Sequence, residues 1–347
     1  MGNPELSKRE RMVLEAVIRT YVQTAEPAGS RTLSRRFGLG VSPATIRNTM
    51  SDLEEKGFLF HPHTSAGRVP TDKAYRAYVD ALLSLPPIEP PDRERLQEEI
   101  AAGGTAIENI LRRAAQSLGV LTQELGVALG PRINEVILER LDLVRVASDR
   151  LLMVLSLKGG VVRTVFVEAQ GEIAELALAQ VAFVLNERLA GLTLREIRAS
   201  LAARLRDSVT APAAGELLNI FLEEGEQLFD AAMPGPEDNV VLGHASLLAE
   251  QPEFAQRESM RRLLALTETP ARLAEAIRKR SLRQGINITI GNEHDDPDLE
   301  QFTVVTAEYQ VGSLSGVIGV IGPTRMPYDK VISLVSHTSR LLTDLLD

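Results

Sequence analysis

Ala44, Arg47 and Asn48 lie within five positions of one another, just after Ser42-Pro43, and their side chains suit the edges of DNA bases. An arginine fork can donate two hydrogen bonds to guanine, and an asparagine amide can pair with adenine. A small methyl packs on the methyl of thymine. The three act together only if the segment is a helix. Ile46, Met50 and Leu53 recur at helical spacing and form an inward stripe at about 100° per residue. The opposite face carries Ala44, Asn48, Ser51 and Glu55, flanked by Thr45 and Arg47. A recognition helix meets bases mainly through its N-terminal part. Ala44, Arg47 and Asn48 are therefore the candidate base readers, with Ser42, Thr45 and Ser51 beside them. Asp52, Glu54 and Glu55 fall toward the end that leaves the groove. Ser42 is a capping hydroxyl, and Pro43 suits the first helical position.

The flanking elements must hold that helix. Ser7 and Glu10 form a capping-box pattern, followed by an apolar stripe of Val13, Leu14, Val17, Ile18 and Tyr21. A second helix is expected from Gly29-Ser30, with Ser30 as its cap and Leu33 and Phe37 inward. Gly38-Leu39-Gly40 makes the turn. Ser30, Arg31, Thr32 and Arg35 are candidate phosphate contacts, which set register without reading sequence. After Gly57 the residues 58–61 read as a strand, 62–67 as a loop tip and Arg68-Val69 as the returning strand. Thr71 then caps a fourth helix through Leu85. Three helices followed by a hairpin are the winged form of the helix-turn-helix. The wing offers His61, His63, Thr64, Ser65 and Arg68 to the DNA backbone or minor groove. Taken singly, each residue also fits a solvated face or an ordinary hairpin; the combination points to DNA.

At 347 residues the chain is long enough for two or three domains. The net charge of −9 runs against DNA binding until it is split into +3 over residues 1–85 and −12 over 86–347. Basic character concentrated in one segment suits an operator-reading domain. Cysteine is absent, which removes disulfides, thiolate metal sites and thiol chemistry. No apolar signal core or membrane-length run occurs, so a soluble, cytoplasmic protein is expected, with no membrane partner. Residues 86–91, with four prolines, read as a stiff linker. Beyond it, 93–129 reads as helix broken at Gly103-Gly104, and 136–146, 151–157 and 161–167 as β-rich, the last two joined at Gly159-Gly160. Helical patterns follow at 173–189, 193–206 and 215–230. Strands are expected at 286–290, 302–309 and 316–321, before a final amphipathic helix. Strands early and late with helices between imply an α+β domain interrupted by a mainly helical insertion.

Thr24-Ala25-Glu26-Pro27-Ala28-Gly29-Ser30-Arg31, Ser42-Pro43-Ala44-Thr45-Ile46-Arg47-Asn48, Pro62-His63-Thr64-Ser65-Ala66-Gly67-Arg68 and the run 316–326 resemble the HrcA-type heat-inducible transcription repressors of bacteria. The resemblance extends over essentially the whole chain, although 170–280 matches only in general pattern. It implies an α+β multidomain protein: a winged helix (1–85), a linker (86–92), a GAF-like domain (93–171 and 261–347) and an inserted dimerising domain (172–260). It further implies a homodimer on an inverted-repeat operator in double-stranded DNA upstream of chaperone operons. Dependence of the active state on the GroEL-type chaperonin is also implied. Ala74 stands where the family pattern expects Gly.

Other chemistry is poorly supported. Glycines at 312, 316, 319 and 322 lack the Gly-Lys-Ser/Thr ending of a phosphate loop and lie in strand patterns. Residues 293–298 are acidic without regular ligand spacing, and His61 and His63 have no adjacent third ligand. No nucleophile–base pair or carboxylate pair is evident, so no enzyme, cofactor, metal or small-molecule substrate is expected. The alternative is a metabolite-responsive winged-helix repressor with a GAF-like ligand pocket, which a polar cavity would favour and a bulky apolar filling would disfavour. A nucleotide-binding or hydrolytic enzyme is a third reading, and it predicts no protected inverted repeat.

Overall fold

The computed structural model describes residues 6–63, 66–82, 86–104, 107–131, 136–158, 161–169, 174–206, 212–232, 240–280, 285–312 and 314–346. The protein is α+β and its sheets contain antiparallel pairs. It divides into two compact units: Met1–Leu129 with Val241–Glu308 and Val317–Leu341, and Gly130–Val240 with Tyr309–Gly316 and Leu342–Asp347.

The first unit begins with α1 (Lys8–Thr24), α2 (Ser30–Phe37) and α3 (Pro43–Glu55). The capping box at α1 is formed, with Glu10 N–H donating to Ser7 Oγ at 3.3 Å and Ser7 N–H to the Glu10 carboxylate at 2.8 Å. Ser30 is not a cap. Gly29 occupies that position, and Ser30 is the first, buried residue of α2. Gly38 ends α2 in the left-handed region (φ 53°), where an L side chain is disfavoured. Strands β1 (Leu59–Phe60) and β2 (Val69–Pro70) pair antiparallel, Leu59 opposite Pro70. Helix α4 (Asp72–Asp80) starts from a Thr71 cap. It stops short of the expected Leu85, and residues 83–85 lie outside the described set.

Only part of the proline run is extended. Pro90 and Pro91 open α5 (Pro90–Ala101), because the first helical turn has no N–H obligation for proline to break. The expected helix to residue 129 is replaced by α6 (Ile107–Thr122) and then β3 (Leu125–Leu129), buried at every position. Length and period could not separate this five-residue apolar run from a buried helix segment.

The second unit follows. Its strands β4 (Leu138–Arg145), β5 (Arg150–Leu157) and β6 (Val161–Glu168) form one antiparallel sheet, and helices α7 (Glu175–Leu189), α8 (Leu194–Leu205), α9 (Pro212–Glu223) and α10 (Gly225–Ala232) follow them. The single helix expected over 215–230 is two, meeting at Glu224. The Gly159-Gly160 turn lies outside the described residues. Leu141, Leu151, Met153, Leu155 and Val167 join Val181, Leu185, Ile197, Leu201, Phe221 and Phe229 in one core. This shared core places the sheet's buried face on these helices and brings strands and helices into one compact unit. Its other face carries the cross-strand row Val144–Leu152–Phe166, with Phe166 60% exposed. Leu176 and Phe183 of α7 are also exposed.

The chain continues through β7 (Val240–Leu242), α11 (Ser246–Ala249), α12 (Arg257–Glu268), α13 (Pro270–Arg280), β8 (Ile286–Ile290), β9 (Phe302–Val311), β10 (Leu314–Pro323) and α14 (Tyr328–Leu346). The sheet order is β7-β3-β10-β9-β8, with Leu129 opposite Val317 and Leu125 opposite Ile321. Leu125, Val127, Phe302, Val305, Ile318, Val320 and Val331 are buried in its core. The glycines of β10 serve packing, as at Gly319, where a Cβ would fall 2.2 Å from the Val305 carbonyl oxygen. No helix among the described residues is long and apolar enough to cross a membrane.

Candidate nucleic-acid interface

The apolar stripe decides which way α3 faces. Ile46, Met50 and Leu53 are buried with Leu33 of α2 and Val13, Leu14 and Val17 of α1. Ser42 Oγ accepts the Thr45 N–H at 3.1 Å and its hydroxyl bonds Thr45 Oγ1 at 3.0 Å. The helix start is thereby satisfied without using the outward groups. Ala44, Arg47 and Asn48 are all exposed, on the side away from the core. Thr45 and Ser51 are half-buried, with the Ser51 hydroxyl donating to the Arg47 carbonyl at 3.3 Å.

On α2, Arg31, Thr32 and Arg35 are exposed. Arg36, absent from the sequence reading, is exposed too; it bonds Gln23 and lies 5.7 Å from the Phe37 ring centroid. A basic residue in the last turn of a short helix was a signal available in the sequence. Ser30, at the start of α2, is buried.

The hairpin is tied down at both ends. Arg68 and Ala28 exchange two backbone hydrogen bonds of 2.9 Å, and Thr71 Oγ1 donates to the Gly57 carbonyl at 2.9 Å. His63 is exposed, whereas Thr64 and Ser65 lie outside the described residues. Arg68 is turned inward: its side chain is 11% exposed and meets Glu54 of α3 at 2.8 Å. The other Glu54 oxygen meets His61 Nδ1 at 2.6 Å. Glu54 thus clips the hairpin to α3, a role its place in the sequence does not reveal because both partners lie across the turn at Gly57.

Behind this surface, Glu10 pairs with Lys56 at 2.6 Å. The Lys56 ammonium and the Ser7 N–H hold the Glu10 carboxyl at about 2, against an ordinary 4.5. Chemically, the arrangement offers a guanidinium, an amide and a methyl on one face, flanked by arginines of α2. The carboxylates Asp52 and Glu55 lie at the far end of α3. Such a face can donate to base edges and neutralise phosphates. The carboxylates of the acidic loop near residue 295 meet arginines. Glu293 bonds Arg76, and Arg272 meets Asp296 and Asp298 at 3.3 and 3.4 Å.

Comparison with known proteins gives this surface a family. The family model described as HrcA protein C terminal domain matches residues 108–332. The heat-inducible transcription repressor HrcA of Chlorobium phaeobacteroides (strain BS1) is 40% identical over 349 residues, covering 98% of each chain. That of Geobacter sulfurreducens is 36% identical over 344 residues, covering 99% of each. A solved structure described as a hypothetical protein at 2.2 Å resolution aligns with a TM-score of 0.59 at 23% identity, covering 98% of this chain and 97% of that one; it speaks for the fold alone. With relatives this similar along nearly its full length, the chain belongs to the HrcA family of heat-inducible transcription repressors.

Proposed function

We propose that the chain represses transcription by placing the N-terminal half of α3 in the major groove of an operator, as one of two heads on a homodimer. The observation that carries this is the exposure of Ala44, Arg47 and Asn48 on a helix whose opposite side is buried. In this reading α1 to α4 with the β1–β2 hairpin are a winged helix. Arg47 and Asn48 bond base edges, and Ala44 packs on a thymine methyl. Ser42, Thr45, Arg31, Thr32 and Arg35 hold phosphates, and the hairpin tip around His63 touches the flanking backbone. The five-stranded sheet and its helices are the GAF-like domain. The unit from Gly130 to Val240 is the dimerising insertion, and its exposed Phe166 and Phe183 support that role. One basic head binds weakly, whereas a second head on the same dimer raises local concentration to the millimolar range, roughly, for short connections.

The operator is an inverted repeat upstream of chaperone operons, and the fraction of dimer competent to bind is set by the GroEL-type chaperonin. Bulky apolar residues filling the sheet's core, among them Phe302, Ile318 and Val320, favour this over a metabolite-responsive repressor. Footprinting on a chaperone promoter across a salt series tests the reading: a protected inverted repeat with steep salt dependence is expected. Uniform protection of unrelated DNA would refute it. Addition of purified chaperonin at several temperatures should raise the operator-competent fraction.

A further inference from the structure

The N-terminal helices are keyed into the five-stranded-sheet region by two arginines that point in opposite directions, Arg76 with a fork across the seam and Arg325 with one hydrogen bond to α1. From α4, Arg76 bonds Glu293 through Nε at 2.7 Å and Nη2 at 2.5 Å, and Nη2 also donates to the Ile288 carbonyl at 2.7 Å. Glu293 is itself fixed by the Ile290 N–H at 2.9 Å. From the segment after β10, Arg325 reaches back to α1, donating to the Val22 carbonyl at 2.7 Å. Its other edge forks onto Glu253, with Nη2 to Oε2 at 2.9 Å. Asp72 adds a third tie, accepting from the Asn292 N–H at 3.0 Å and its side-chain amide at 2.9 Å.

Apolar contact fills the seam between these keys. Tyr75 of α4 and Tyr328 of α14 are buried with ring centroids 5.6 Å apart. Even the proline run is strapped down, as Ser333 donates to the Pro86 carbonyl at 2.9 Å and Lys330 meets Asp92 at 3.2 Å. A planar, bidentate guanidinium fixes orientation as well as distance. Anchors on two different helices, α1 and α4, block the swivel that one anchor would leave.

We infer that Arg76 and Arg325 are positioning residues for operator reading: they fix α3 to the sheet, so the protein discriminates the spacing between half-sites as well as their bases. This rests on the two-headed reading above. Without the keys, each head could turn to follow a displaced half-site, and spacing discrimination would fall while base discrimination stayed.

The test uses full-length protein and labelled duplexes carrying one inverted repeat, its spacer lengthened or shortened by one or two base pairs. Each added pair turns the second half-site by about 35°. Wild type should lose about tenfold or more in affinity at two pairs from the optimum. In the Arg76→Gln/Arg325→Gln double variant that penalty should shrink to about threefold, while the penalty for a changed half-site base remains as in wild type. Arg76→Lys and Arg325→Lys, which keep the charge but lose the fork, should fall between and guard against misfolding of the double variant. Spacing penalties equal to wild type in folded Lys and Gln variants overturn the inference alone. If wild type binds a single half-site as tightly as the repeat, the two-headed reading fails and the inference falls with it.

Discussion

Replacing Gly67 by alanine tests how the hairpin is held against the helices. A Cβ at this position would sit 2.4 Å from the Ala28 carbonyl oxygen, 2.5 Å from its carbon and 2.6 Å from the Pro27 oxygen. All three are backbone atoms, so no rotamer change relieves the clash, and the strands must part by about 1 Å. Arg68, the next residue, exchanges both its 2.9 Å backbone hydrogen bonds with Ala28, and separation on that scale breaks them. Two bonds at about 1 kcal/mol each net, with about 1–2 kcal/mol of overpacking, give a loss of about 3–4 kcal/mol. Gly38 supplies the control. Its φ is 53° and nothing lies within 4 Å, so Gly38→Ala meets only the left-handed penalty of about 1–2 kcal/mol. Urea titration followed by tyrosine fluorescence is the assay. The chain has five tyrosines and no tryptophan, and Tyr21, Tyr75, Tyr78 and Tyr328 all lie in the first unit. Stability is read from the midpoint at constant slope. A Gly67→Ala protein within about 0.5 kcal/mol of wild type, or more stable than Gly38→Ala, would refute the reasoning.

Arg47→Ala and Asn48→Ala should each weaken operator binding by about 1–3 kcal/mol and relax one base position; competition binding at fixed salt against single-base operator variants reads this. Glu10→Gln should destabilise the first unit by about 1–3 kcal/mol at neutral pH. Because the folded pKa is lowered from 4.5 to about 2, the Glu10 contribution is full above its unfolded value and fades as pH falls toward the folded one. Wild-type and Glu10→Gln urea midpoints should therefore converge in acid, and a pH-independent gap would contradict the pairing. Phe183→Asp, at a site 70% exposed, should shift a dimer toward monomer by about tenfold or more in sedimentation while leaving far-ultraviolet dichroism unchanged.

Much of the N-terminal surface was legible because its signals are local. A capping hydroxyl before proline, an i, i+4, i+7 stripe and a glycine turn fix α3 and its outward residues without reference to distant chain. The places where reading failed are those where distant chain decides. Arg68 looked available for DNA, yet its guanidinium faces Glu54, and nothing short of the folded hairpin reveals that. Ser30 had the right residue type for a cap, but Gly29 adopts the extended conformation first. Residues 125–129 became a strand because β10, far along the chain, supplies their hydrogen bonds. The proline run marked a boundary by composition, while Ser333 and Lys330 bind it to α14.

The pairing of β3 with β10 also sets a clock. Leu129 and Val317 are register partners, so a ribosome must add about 190 residues before the first strand of the sheet finds its long neighbour β10, only the three-residue β7 being made earlier. At roughly 5–20 residues per second that wait is on the order of 10–40 s. Through that interval the wholly apolar segment Leu125–Leu129 and the inward side of α6 have at most the three-residue β7 beside them. Nascent chains with such a long interval between synthesis and closure are prone to aggregate. The strand order thus makes the yield of native protein a race between elongation and self-association.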